Sequence, residues 1–327
     1  MPIQKKLIYS LVLLSVLLLL ANIVSEISMH VEAEPIPEMS TKEIEKKVSL
    51  TLNDYGIESE WIKKVYLKNG LSDSLNYLYN IALPKDVSIP SLIKDLSSSF
   101  NSDIVNIKTV EKINYSNTLV DIYSNKKLKF HASLKHSKKN VRVYSIYSFL
   151  VLVNFDNVED ELNKLENIYC DFSYLVVPSK GALNRKKAMD GNYSLLLNDE
   201  LGETAYALEE DYSKQKLVNR IRSIIISFGR DKTYLVDKTS NIYNSKIYSL
   251  LRDEFNKRGI NIIPLQKYPI LKGETKHELE SLFDFYSTSL KGKEGKIFVI
   301  SLKNFLFLQT SIAKQIKMGD KVVQVKF

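Results

Sequence analysis

From about residue 143 to the end of the chain, short apolar runs alternate with amphipathic segments. This repeated pattern constrains the fold more than any other feature of the sequence. The segment SKIYSLLRDEFNKRG, for example, places Ile247, Leu251 and Phe255 on one helical stripe. Strands that are covered on both faces are continuous apolar runs rather than alternating ones. Repeated strand–helix units predict parallel strands with right-handed crossovers, in a doubly wound sheet or a barrel. The predicted strands are YSFLVLVNF, FSYLVVP, YSLLL, IIISF, TYLVD, INIIP, KIFVISL and VVQVKF.

The residues that follow these strands are the candidates for a functional site. In both architectures, ligands bind at the carboxyl ends of parallel strands. The stretch 234–264 reads as strand, turn, helix, turn and strand, and Asp237 closes its first strand. The strand-end residues are Asn154, Asp156, Pro178, Asn198, Asp199, Glu200, Ser227, Phe228, Asp237, Lys238, Thr239, Ser301 and Lys303.

The chain before this repeat has a different organisation. Ser40 and Glu43 have the spacing of a helix capping box, and an amphipathic pattern follows them. Alternating segments such as KKLKFHASLKH then predict strands that are exposed on one face. The sequence therefore predicts a small α+β domain over residues 34–142 and an α/β domain over residues 143–327.

Residues 1–33 form the third predicted part. Lys5 and Lys6 precede a run of apolar residues from Leu7 to Val24. A helix of that length just crosses a hydrocarbon core of about 30 Å, and the basic flank predicts a cytoplasmic start with an exported remainder. The expectation is a transmembrane signal anchor that makes the membrane a partner, with a cleaved secretory signal as the alternative. The bulk of the chain would then be periplasmic or otherwise extracytoplasmic.

The net charge and the cysteine count limit which partners and which kinds of site are expected. The formal net charge is +8, from 46 basic and 38 acidic residues that are scattered along the chain. No aromatic and basic motif of a nucleic-acid-binding module accompanies them, so no nucleic acid partner is expected. Cys170 is the single cysteine, which excludes an intrachain disulfide and a cysteine metal cluster.

The order of elements from residue 146 to 327 resembles the divergent polysaccharide deacetylases, relatives of the NodB-homology carbohydrate-esterase barrel. Matching segments are LVLVNFDN, YLVVP, LLLNDE, IIISFGR and the block 234–264. The resemblance implies a (β/α) barrel-like domain that binds a divalent metal through one aspartate and two histidines.

This sequence departs from that family at the metal ligands. The resemblance leaves Asp156 as the surviving aspartate and puts Leu196, Ser227 and Leu302 where histidines are expected. His277 is the only histidine after residue 143, and it lies at a predicted helix start. We therefore expect no metal site, no cofactor and a degenerate catalytic centre.

The resemblance also suggests which residues contact a ligand. Asp156 and Asp237 occupy the family's catalytic positions, whereas Asn198, Glu200, Ser227 and Lys238 are candidate glycan contacts. Carboxylates could instead rebuild a Mg²⁺ or Ca²⁺ site from oxygen ligands, namely Asp156, Asp199, Glu200 and Asp237. The interpretation without a functional role is that each acid ends a strand or caps a helix.

The expected function is that of a membrane-anchored envelope protein whose barrel binds cell-envelope polysaccharide or docks an envelope protein. Two alternatives remain at this point. The barrel could be an active metal-dependent deacetylase with a rebuilt carboxylate site, for which a divalent metal would be the cofactor. It could also be a non-catalytic envelope scaffold.

Overall fold

The structure is a computed structural model of the chain. It describes residues 2–29, 38–67, 75, 77–111, 117–155, 163–165, 168, 170–197, 205–290, 292 and 295–327, and within the first helix it describes the side chains of residues 8–24. The chain divides into two compact units. The first unit comprises Met1–Thr51 with Ser59–Ser137, and the second comprises Leu52–Glu58 with Lys138–Phe327.

The first unit contains a five-stranded mixed sheet with the order β1-β2-β5-β4-β3. Strands β2 and β5 are parallel, and the other neighbouring pairs are antiparallel. Alternation in β4 buries Val120 and Ile122, which places the core on one face of the sheet. The elements are α1 (Pro2–Met29), α2 (Thr41–Asp54), β1 (Ile62–Tyr66), β2 (Tyr77–Leu83), α3 (Ile89–Ser98), β3 (Val105–Glu111), β4 (Thr118–Ser124) and β5 (Lys127–His136).

The second unit is mixed α/β and is built on a parallel half-barrel sheet. Its strands have the order β10-β9-β8-β7-β6-β12-β11, and β13 pairs with the start of β6. The described neighbouring strands of this sheet all pair in parallel, as repeated strand–helix units require. The strands are β6 (Ile146–Val153), β7 (Ser173–Val176), β8 (Tyr193–Leu197), β9 (Tyr234–Val236), β10 (Ile262–Pro264), β11 (Ile270–Leu271), β12 (Lys296–Ser301) and β13 (Lys321–Val322).

Helices pack on one face of the half-barrel around an aromatic core. Phe149 on β6 lies 5.2 Å from Phe305 and 5.9 Å from Phe283 between ring centroids. Phe149 and Phe283 are fully buried, because the helices cover this face. The helices are α4 (Lys180–Asn184), α5 (Lys214–Phe228), α6 (Asn241–Asn244), α7 (Tyr248–Asn256), α8 (Lys276–Ser289), α9 (Leu302–Phe307) and α10 (Gln309–Met318).

One predicted strand is wrong. The segment IIISF, Ile224–Phe228, is the last part of α5 rather than a strand. Leu217, Ile221, Ile224 and Phe228 are buried at helical spacing, so the apolar run continues the amphipathic face of the preceding helix. A short apolar run is compatible with a buried strand and with a buried helix end, and here it forms the end of a helix.

The predicted transmembrane helix is also wrong. Residues 2–29 do form a helix, and the side chains described for residues 8–24 are exposed. Among the described residues, however, no helix is both long enough and apolar enough to pass through a membrane.

Candidate functional site

The inner face of the half-barrel, opposite the helices, is apolar. Leu150, Leu175, Leu196, Leu235 and Val299 point to this face from five strands and are at least nine-tenths buried. They alternate along each strand with residues that face the helices, as the pleat requires. These five side chains contribute packing to the inner face, so the rim of the half-barrel is the place to look for a site.

The last residues of the chain cover the inner face where the strands begin. The Val323 amide donates to the Tyr147 carbonyl at 3.1 Å, and the Val325 amide donates to Ser173 Oγ at 2.9 Å. Ser173 is the first residue of β7, so this segment lies at the amino ends of the strands. The opposite rim, where the strands end, is where a ligand would bind in a parallel half-barrel.

Asp237 follows the last residue of β9 and organises the turn at this rim. Its Oδ1 accepts hydrogen bonds from the Thr239 amide at 2.7 Å, the Thr239 hydroxyl at 2.7 Å and Gln266 Nε2 at 2.5 Å. Gln266 Oε1 in turn accepts from the Lys238 amide at 3.0 Å. Because Gln266 follows β10, this side chain ties the ends of two adjacent strands together.

These contacts set the charge state of Asp237. Burial raises the pKa of the carboxyl, but hydrogen bonds from the Thr239 hydroxyl, the Thr239 amide and Gln266 outweigh it, so the pKa lies below its ordinary value of 3.8. Asp237 is therefore a carboxylate at neutral pH, and the structure gives it no tendency to hold a proton for acid catalysis.

This arrangement predicts a pH-dependent effect of Asp237→Ala. We expect the substitution to lower the free energy of unfolding by about 1 kcal/mol at pH 7, as for loss of a side-chain cap. A lowered pKa stabilises the fold above the ordinary value of 3.8, and this contribution is lost as the pH falls below it. Urea titrations across the acid range should show the difference between wild type and variant shrinking. A difference that is constant with pH would contradict this account.

Lys238 and Ser227 lie at different ends of the second unit. Lys238 is exposed at the rim, directly after Asp237. Ser227 belongs to α5, where its hydroxyl lies 3.3 Å from that of Tyr206 and its carbonyl accepts from Lys186 Nζ at 2.9 Å. The chain enters β9 at Tyr234, so Ser227 is near the amino ends of the strands and is not a rim residue. The predicted residues Asp156, Asn198 and Glu200 lie outside the described residues.

The positions that the resemblance assigned to histidine ligands do not converge. Leu196 points to the inner face, whereas Leu302 is the first residue of α9 and is buried in the core between sheet and helices. His277 is exposed in the first turn of α8, which is capped by Thr275 and Glu278. Core packing accounts for the positions of Leu196 and Leu302, and His277 lies in the first turn of a capped helix.

The described residues do not fit a metal centre. Within the described part of the chain, no three His, Cys, Asp or Glu side chains are close enough together to hold an ion. Asp237 is the one described member of the predicted carboxylate set, and it faces hydrogen-bond donors rather than further ligands. Asp199, like Asp156 and Glu200, is outside the described residues.

A cavity of about 870 Å³ lies in the first unit, at the start of α3, and not at the rim. His136 Nδ1 is 3.0 Å from the Pro84 carbonyl at its edge. Two lysines and two acids line the cavity, so their charges balance and favour no ligand class. The lining residues are Lys85, Asp86, Val87, Ser88, Ile89, Pro90, Ile93, Lys94, Thr109, Glu111, Thr118 and His136.

Sequence reasoning missed Gln266 and this cavity. Gln266 is separated from Asp237 by 29 positions, and periodicity carries no information about such a pair. The order of strands around the half-barrel is what brings them together, because β9 and β10 are neighbours.

Comparison with known proteins adds little to this site. No family model and no curated protein matches the chain. Among solved structures, the chain is similar to the uncharacterized protein ATU2773 from Agrobacterium tumefaciens C58, with 9% identity and a TM-score of 0.39 over 57% of this chain and 89% of that chain. A likeness of this degree carries no argument about activity.

Proposed function

We propose that the second unit is a glycan-binding module that does not catalyse metal-dependent deacetylation. The proposal rests on the hydrogen bonds that hold the Asp237 carboxylate in the turn after β9. One of its oxygens accepts three hydrogen bonds and thereby joins the ends of β9 and β10. With Oδ1 held in this way, Oδ2 is the oxygen left for a ligand, and among the described residues no group of three His, Cys, Asp or Glu side chains could hold a metal ion with it.

The chemistry of the rim supports a glycan as the ligand. Lys238, Thr239 and Gln266 are exposed beside the half-buried Asp237, so donors and an acceptor are grouped in two adjacent turns. The described residues form no hydrogen bond with Asp237 Oδ2, which keeps one carboxylate oxygen available to a sugar hydroxyl. The resemblance to polysaccharide deacetylases suggests N-acetylated sugars as the first ligands to test.

Isothermal titration of the full chain with N-acetylglucosamine oligomers tests this proposal. We expect Lys238→Ala and Gln266→Ala each to weaken binding about tenfold, which corresponds to about 1.4 kcal/mol. Lys314→Ala is the matched control, because Lys314 is exposed on α10 and belongs to no rim turn. We expect this variant to bind like the wild type.

Two results would overturn the proposal. Absence of binding to any oligosaccharide would remove the module function. Release of acetate from the same oligomers, stimulated by added Mn²⁺ or Zn²⁺ and abolished by Asp237→Asn, would establish the active deacetylase instead.

A further inference from the structure

The sheet of the first unit has a second face that its core does not use. Along β4, Leu119, Asp121 and Tyr123 are half-buried, whereas the residues between them are buried in the core. Directly paired residues on neighbouring strands share a face, so the strand register identifies the other members. We call this surface the open face.

Two rows of paired side chains cross the open face. The first row crosses all five strands and consists of Lys63, Asn80, Ser133, Leu119 and Val110 in that order. The second row contains His131, Asp121 and Lys108. With strands about 4.8 Å apart, the first row extends over about 19 Å.

Among its described residues, the open face carries more positive than negative charge. Lys63, Lys108 and Lys135 are exposed on β1, β3 and β5, and none of them forms an ion pair within the described part of the chain. Lys135 is assigned to this face by its pairing with Ala82. The acid on the described strands of this face is Asp121, whose Oδ1 contacts His131 Nδ1.

A second acid, which contacts the start of the central strand β5, does not change that balance. Glu38 pairs with two lysines of β5, Lys127 at 3.3 Å and Lys129 through a close contact. One carboxylate shared by two ammonium groups leaves a further positive charge at the start of β5. Complementary charge favours an anionic partner.

The spacing of the lysines favours a polymer over a small anion. Lys63 and Lys108 lie on the two edge strands, about 19 Å apart, so no small ligand reaches both. Between them, Asn80 and Ser133 offer an amide and a hydroxyl that suit sugar hydroxyl groups. A chain that runs across the strands would contact all of these groups.

The same surface lacks the features of a nucleic-acid platform. Binding of single-stranded nucleic acid uses exposed aromatic rings on which bases stack. On the described strands, Tyr123 is the one aromatic of the open face, and it is half-buried with Lys108 Nζ 5.1 Å from its ring centroid. This ring is therefore not available as a stacking surface.

We propose that the open face of the first unit binds a linear anionic polysaccharide laid across its strands. The ligand class is a chain of acidic sugars, held by Lys63, Lys108 and Lys135 and positioned by Asn80 and Ser133. This site is independent of the rim in the second unit, so either one can exist without the other.

Titration of the full chain with an oligogalacturonate of about ten sugars at low salt tests the proposal. We expect Lys108→Glu to weaken binding about fivefold, and the triple reversal at Lys63, Lys108 and Lys135 to weaken it about a hundredfold. Lys46→Glu is the matched control, because Lys46 is exposed on the helix α2 rather than on the sheet. That variant should change binding less than twofold, and raising the salt concentration should weaken all binding.

Four comparisons decide the outcome. Equal losses in Lys46→Glu and Lys108→Glu, or no binding by the wild type, would overturn the proposal. A neutral maltodextrin of equal length that binds as tightly would overturn the charge argument, and a single-stranded DNA oligomer that binds more tightly would replace the ligand class. Lys238→Ala should leave oligogalacturonate binding unchanged, and a loss there would move the site to the rim.

Discussion

Phe283→Ala is expected to lower the free energy of unfolding of the second unit by about 3–5 kcal/mol, the range for truncating a buried phenylalanine. Phe283 on α8 is fully buried. Its ring centroid lies 5.8 Å from Tyr147 and 5.9 Å from Phe149 on β6, and 6.3 Å from Phe298 on β12. Alanine would leave a cavity among these rings, because the parallel strands that carry them cannot close around it.

Phe285→Ala provides a control from the same helix. Phe285 is two positions further along α8 and 66% exposed. We expect this substitution to cost less than about 0.5 kcal/mol, since surface changes are usually within that range. Denaturant titration, together with hydrogen exchange at the amides of β6 and β12, measures both variants. Similar costs for the two substitutions would show that α8 does not pack on the sheet through the face described.

Arg142→Met is expected to lower the free energy of unfolding of the second unit by about 2–4 kcal/mol, through loss of hydrogen bonds from a buried cation. Arg142 is 8% exposed, and its Nη1 donates to the Tyr55 carbonyl at 2.9 Å and the Lys317 carbonyl at 2.5 Å. Tyr55 follows the end of α2, and Lys317 is in the last turn of α10. Both carbonyls belong to the second unit, so the guanidinium satisfies two acceptors of that unit and neutralises the negative end of α10.

Arg222→Met tests whether this effect is specific. Arg222 is exposed on α5, so the same chemical change there should cost less than about 0.5 kcal/mol. The packing around Arg142 supports a large difference, because a Cβ at Gly319 would lie only 2.9 Å from Arg142 Nε. The measurement is again a denaturant titration with hydrogen exchange, and a small effect of Arg142→Met would refute a structural role.

Asp237 and Ser227 illustrate which features of a candidate site can be predicted from the sequence and which cannot. The sequence predicts Asp237 at a strand end because an apolar strand precedes it and a helical pattern follows, and both signals are local. Whether its carboxylate was free for chemistry depended on Gln266, which follows a different strand. The prediction for Ser227 is wrong because an apolar run is compatible with both a strand and a helix end, and only packing distinguishes the two.

The sequence by itself determined the parallel sheet of the second unit and the one-sided burial of the first unit's strands. Periods of two and 3.6 residues follow from the backbone geometry of each element, so they can be read along the chain. Only the tertiary structure decided which side chains meet: the leucines that fill the inner face, the turn that engages Asp237 and the lysines that share the open face. Those contacts depend on strand order and register, which bring together residues that are far apart in the sequence.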